Sequence, residues 1–187
     1  MALLDTARDK TEEFLNAEGR SPSHVAAGAA VCIAAAAVTA LIAWKRSPTH
    51  ANPEIEREFD DLSKSSLEPP KSAYSVLWPA LFSVMTLSAL RIWNAPSSPE
   101  RMKALSLWGG LQGLNALWMF LRPTQRGAQV AAALSTFAAT VLYARSVERV
   151  DARSAKLIAP YAGWVGFANL LNGELWRKNR PRGVTIH

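Results

Sequence analysis

Five stretches of the chain run without a charged side chain: residues 25–44, 72–90, 104–121, 127–144 and 157–173, each 17 to 20 residues long. A helix rising 1.5 Å per residue needs roughly 20 apolar residues to cross a hydrocarbon core. Soluble helices of that length carry a polar stripe for water, and these windows show little of one. The pattern predicts an all-α bundle of five transmembrane helices, at about 25–44, 72–93, 104–121, 127–145 and 157–176. Polar positions organise the remainder into an N-terminal extension (1–24), a long first loop (45–71) and a basic tail (180–187). In the extension, residues 3–18 place Leu4, Ala7, Thr11, Phe14 and Leu15 on one helical face, with Gly19 as the expected stop. In the loop, Asn52-Pro53 opens a second helical pattern carried by Ile55, Phe59 and Leu62. Two settings stay open for these outer helices: the membrane surface or a partner helix, and packing on their own bundle.

Composition changes this picture little. The 187 residues suit one domain with a sizeable core, and the mean hydropathy of +0.02 averages apolar spans with polar connections. The net charge of +6 does not point to nucleic acid. Lys45, Arg46, Arg122, Arg126, Arg145, Arg177, Lys178, Arg180 and Arg182 all stand where windows stop, as interfacial anchors with anionic lipid as partner. Five crossings put the termini on opposite sides, A for the N-terminus and B for the C-terminus. Side A carries ten Lys and Arg and side B eleven, so charge gives no orientation. A single cysteine, Cys32, excludes a disulfide framework, and three scattered histidines argue against structural zinc. Five acids in the first twenty residues fit neither a secretory signal nor an Arg-rich transit peptide.

Candidate chemistry lies inside the spans. Trp78, Phe82 and Met85 share a stripe in the second; Trp108, Asn115 and Trp118 fall together in the third; Tyr161, Trp164, Ala168 and Asn172 do so in the fifth. Trp164 lies roughly 15 Å from the side-B end of its helix, and Trp78, Asn115, Trp118 and Asn172 fall in the same half. Polar side chains within a bundle turn inward, so these positions together predict an aromatic pocket opening toward side B. Each taken alone reads first as an interfacial aromatic or an interhelical hydrogen bond, and only together do they point to a pocket. Gly109 and Gly113 form a Gly-x-x-x-Gly for close helix packing, either within the chain or in a dimer, and Gly28 smooths the first span. Glu174 ends the fifth span on side B, out of reach of Arg91 on side A, which leaves Lys71, Arg122 or Arg126 as expected partners. No carboxylate pair or Ser/His/Asp set is visible, so no enzyme is expected.

Several of these residues carry a family resemblance. Pro160-Tyr161, Trp164, Leu171-Asn172 and Trp176-Arg177…Asn179 in the fifth span, Asn115…Trp118 with Gln112 in the third, and Pro69-Pro70 before Trp78 in the second resemble the TspO/MBR family. This is the tryptophan-rich sensory protein and translocator group, also called the peripheral benzodiazepine receptor group. Residues 69–94 and 104–179 follow its pattern in order. The resemblance implies a five-helix bundle, often dimeric, that binds porphyrins, sterols or synthetic ligands beneath the first loop. The chain departs from the family at Pro79 (where a threonine is usual), at Ser72 and Ser75, and at Phe120 and Arg122-Pro123. Pro79, one turn into its helix, should bend the pocket wall. Gly173 stands where the family's sterol pattern needs tyrosine, and a formal match to such a pattern occurs at 141–145. Two functions are therefore expected as rivals. One is a receptor or carrier binding a porphyrin, heme or lipid through Trp78, Phe82, Asn115, Trp118, Tyr161, Trp164 and Asn172. The other is an accessory subunit of a larger, respiratory-type membrane complex. A homodimer or that larger complex would be the assembly, and family habit suggests a mitochondrial membrane.

Overall fold

A computed structural model describes residues 2–46, 54, 57, 61–63, 65–121 and 125–179. Six helices and no strand are found among them: α1 (Ala2–Leu15), α2 (Pro22–Arg46), α3 (Lys71–Asn94), α4 (Pro99–Phe120), α5 (Arg126–Glu148) and α6 (Ala152–Lys178). The five long helices overrun the uncharged windows because local caps set their ends. Ser98 accepts from the Arg101 N–H at 3.0 Å with Pro99 in the first turn, and Asp151 accepts from the N–H groups of Arg153 and Ser154. Pro96 forces Ala95 into an extended conformation, ending α3. Pro79 lies inside α3, which continues through it.

Among the described residues, three helices, α2, α3 and α5, are long and apolar enough to cross a membrane. The expectation was five. Helices α4 and α6 are as long, but Trp108, Gln112, Asn115, Tyr161 and Asn172 dilute their apolar character, and several of these are interior.

The helices pack with one period. Buried or part-buried positions recur as 28, 32, 35, 39 in α2, as 104, 108, 111, 115 in α4, as 129, 133, 136, 140, 143, 147 in α5 and as 154, 158, 161, 165 in α6. Alternating steps of four and three keep each seam on one helical face, against a neighbour. Helix α3 packs on α6, α6 on α5 and α5 on α4, and α2 covers the line between α3 and α4. The seams hold Thr39, Ser88, Thr136, Thr140 and Ser154, while Val31, Ile33, Leu134, Leu142 and Leu170 face outward. Small hydroxyl residues inside and branched aliphatics outside suit a bundle solvated by hydrocarbon.

At side A the N-terminal segment is bolted to the bundle. Helix α1 ends at Leu15, not near Gly19: Asn16 adopts φ 54°, with Asn16 N–H to Glu13 O (3.2 Å) and Ala17 N–H to Glu12 O (2.7 Å), the paired bonds of a Schellman motif. Arg91 then donates to the carbonyls of Glu13 and Phe14, and Asn94 to that of Leu15 at 3.0 Å, supplying donors to carbonyls that a helix end leaves orphaned. Arg91 is 4% exposed and pairs with Asp151 at 2.8 Å. Arg20 returns to Asn94 O (2.7 Å), and Arg153 pairs with Glu13 (2.8 Å). Of the two settings for this helix, packing on its own bundle holds, although Leu4 and Phe14 stay 76% and 56% exposed. The helix expected from Asn52 falls mostly outside the described residues; Glu54 and Arg57 are helical.

Candidate functional site

The aromatic residues converge between α3 and α6. Tyr74, Trp78 and Phe82 are spaced by four along α3, so each lies one turn from the next on a single face. Trp164 and Phe167 come from α6. Trp78 stacks on Phe82 with ring centres 5.5 Å apart and meets Trp164 edge-on at 6.2 Å. Tyr74 meets the other side of this group, its ring 5.8 Å from Trp164, and Phe167 lies 5.7 Å from the same indole. Except for Phe82, which is buried, these rings are half-buried, so they form a cluster with open faces.

One turn toward side A lies a polar floor. The Tyr161 hydroxyl sits 2.9 Å from the Asn115 amide nitrogen and 3.1 Å from its oxygen, and both residues are buried. Replacing Tyr161 with Phe should therefore lower stability by about 1–2 kcal/mol in detergent unfolding, since Asn115 would lose its buried partner. An unchanged midpoint would mean that Asn115 finds another.

The sequence reading is only partly reproduced here. Trp78, Phe82 and Trp164 come together, and Asn115 meets Tyr161. Asn172 turns back to its own helix at Ala168 O (2.9 Å), and among the described residues neither it nor Trp118 bonds or stacks with the cluster. The indole N–H groups of Trp108, Trp118 and Trp164 are buried without an acceptor among those residues. Tyr74 and Phe167 were not anticipated, although Tyr74 stands four residues before Trp78. Gly109 and Gly113 face outward with nothing within 4 Å of an added Cβ, so packing within the chain does not use them. Beside Gly113, Val38, Thr39, Ile42 and Gln112 line an outer groove of about 400 Å³ between α2 and α4.

Above the cluster, the end of the first loop is pinned to the side-B end of α6. Ser63 and Asn179 exchange two bonds, Ser63 N–H to Asn179 Oδ1 at 3.0 Å and Asn179 Nδ2 to Ser63 O at 3.2 Å. The buried Ser65 hydroxyl donates to Glu174. Glu174 pairs with Lys178 at 3.0 Å, one turn on, a local partner beside the ones expected, of which Arg122 and the Lys71 side chain lie outside the described residues. The cluster thus has a floor, two helical walls and a tethered rim.

Residues 28–177 match the model of the TspO/MBR family. The chain is 29% identical over 130 residues to the translocator protein of Bos taurus, covering 67% of this chain and 77% of that one. Against the protein CrtK of Rhodobacter capsulatus, identity is 32% over 128 residues (65% and 78%). With the tryptophan-rich sensory protein of Cereibacter sphaeroides it is 26% over 128 residues (66% and 78%). Bundle, aromatic cluster and matched region coincide, and the chain belongs to the TspO/MBR family of helical membrane proteins.

Proposed function

We propose that this chain crosses the membrane five times and binds a planar apolar ligand, a tetrapyrrole such as porphyrin or heme, or a lipid, on Trp78 and Trp164. Its role is that of a receptor or carrier rather than an enzyme. The observation that carries this reading is the pair of half-buried indoles set edge to face across α3 and α6 at membrane depth. Indole faces supply large apolar contact, and aromatic pairing adds about 0.5–1.5 kcal/mol beyond burial. The names of the relatives, translocator and sensory protein, fit a carrier or a receptor. Titrating the detergent-solubilised protein with protoporphyrin IX, read by tryptophan quenching, tests it. The Trp164→Ala variant should bind about tenfold more weakly. Equal affinity in variant and wild type rules the assignment out.

A second reading has its own support. Helix α1 precedes the family-matched residues and carries the exposed Leu4 and Phe14. This suits an accessory subunit of a larger, respiratory-type complex in a mitochondrial membrane, whereas the outward Gly109 and Gly113 suit a homodimer. Native size in mild detergent separates them: one or two chains of 20.3 kDa, or a much larger particle.

A further inference from the structure

Glu68 stands at the join between the first loop and α3, just before Pro69-Pro70. Its backbone is fixed on both sides. Its N–H donates to Ser65 O at 3.2 Å, Ser65 is held by Glu174, and Pro70 caps α3 in an extended conformation. Yet one carboxylate oxygen, Oε2, is buried without a hydrogen-bond donor among the described residues. Pro69 and Pro70, the next two residues, offer it no backbone N–H. Tyr74 stands six residues on, in the first turn of α3, and its ring lies 5.8 Å from Trp164. Glu68 therefore stands at the side-B end of the helix that carries Tyr74, Trp78 and Phe82.

A buried, uncompensated carboxylate oxygen is costly, and a donor brought by a ligand relieves that cost. Aromatic faces beside a carboxylate also favour a cation, because the ring quadrupole attracts positive charge. We propose that Glu68 makes the cluster selective for planar ligands bearing a protonated nitrogen turned toward the first loop, and selective against those presenting a carboxylate there. This rests on the aromatic cluster being the binding site. The Trp164 N–H, equally unpartnered, would take an acceptor from the same ligand.

Two three-ring probes test it on the full chain in neutral detergent: 9-aminoacridine, cationic at neutral pH, and anthracene-9-carboxylate, anionic. Wild type should prefer the cation at least tenfold. Glu68→Gln should weaken the cation by about tenfold and leave the anion unchanged or tighter, since hydrogen bonds to charged groups carry effects of this size. Trp164→Ala should weaken both. If Glu68→Gln leaves the cation-to-anion ratio unchanged while Trp164→Ala still weakens both probes, the assignment of Glu68 is wrong and the cluster reading stands. If Trp164→Ala alters neither, the cluster reading itself falls. Should the Gln variant fail to fold, wild type alone decides, because equal binding or preference for the anion overturns the proposal.

Discussion

Replacing Arg91 with methionine is expected to destabilise the protein by about 3–5 kcal/mol, the range seen when one partner of a buried ion pair is removed. The guanidinium serves two structures at once. Its Nε donates to Asp151 at 2.8 Å and to Ser154 Oγ at 3.1 Å, and its Nη1 donates to the carbonyls of Glu13 and Phe14. Without it, Asp151 loses its counter-charge and the end of α1 loses its donors. The exposed pair Arg153–Glu13 cannot compensate, since surface pairs contribute roughly 0–1 kcal/mol. Thermal unfolding should show the loss, and hydrogen exchange should show α1 opening first. A variant with wild-type stability and a protected α1 would mean that Asn94 and Arg20 suffice. Acid should weaken the same joint. Burial alone would raise the Asp151 carboxyl, but hydrogen bonds from Ser154 and Arg91, with the charge of Arg91, outweigh it and hold the group below its ordinary 3.8. Its stabilisation is therefore complete above about 3.8 and is lost as pH falls through the lower folded value. Asp151→Asn should remove that acid response.

This joint was hidden from the sequence, whereas the long helices were plain, and the reason is physical. A missing charge over 17 to 20 residues is a local signal. Arg91 and Asp151 are 60 residues apart, and only the fold brings them together. The inward seams were obscured differently. In α5, Thr136, Thr140 and Ser146 face in while Leu134 and Leu142 face out, but alanine occupies both faces and hydroxyl residues contrast weakly with it. Within the cluster, spacing identified the faces of α3 and α6 that carry Trp78, Phe82 and Trp164. Spacing gives a direction around one helix and not the identity of its neighbour, and so it also gathered Trp118 and Asn172. Glu174 shows the opposite omission: Lys178, four residues away and within reach of the simplest helical rule, was not named as a partner.

Gly28→Val should lower stability by about 2–3 kcal/mol, as overpacking a tight helix contact does. A Cβ at this position would lie 2.3 Å from Trp93 Cδ1 and 2.7 Å from its Nε1. The indole is not free to retreat. Its N–H donates to His24 O at 3.2 Å, the His24 ring nitrogen lies 3.2 Å from Trp93 O, and the Arg101 guanidinium sits 5.8 Å from the ring centre. Arg101 also donates to Trp93 O at 2.6 Å, so the backbone is held as well as the ring. Losing a glycine from a helix interior ordinarily helps by up to about 1 kcal/mol, and here the clash must exceed that gain. Gly113→Ala is the matched control: nothing lies within 4 Å of its added Cβ, so only the gain should appear. Adding Trp93→Ala to Gly28→Val should recover part of the loss, because contacting residues couple by 0.5–3 kcal/mol. If Gly28→Val unfolds with the wild type, α2 does not rest on Trp93 at all. If the double variant recovers nothing, the loss comes from the backbone of α2 and not from its seat on α3.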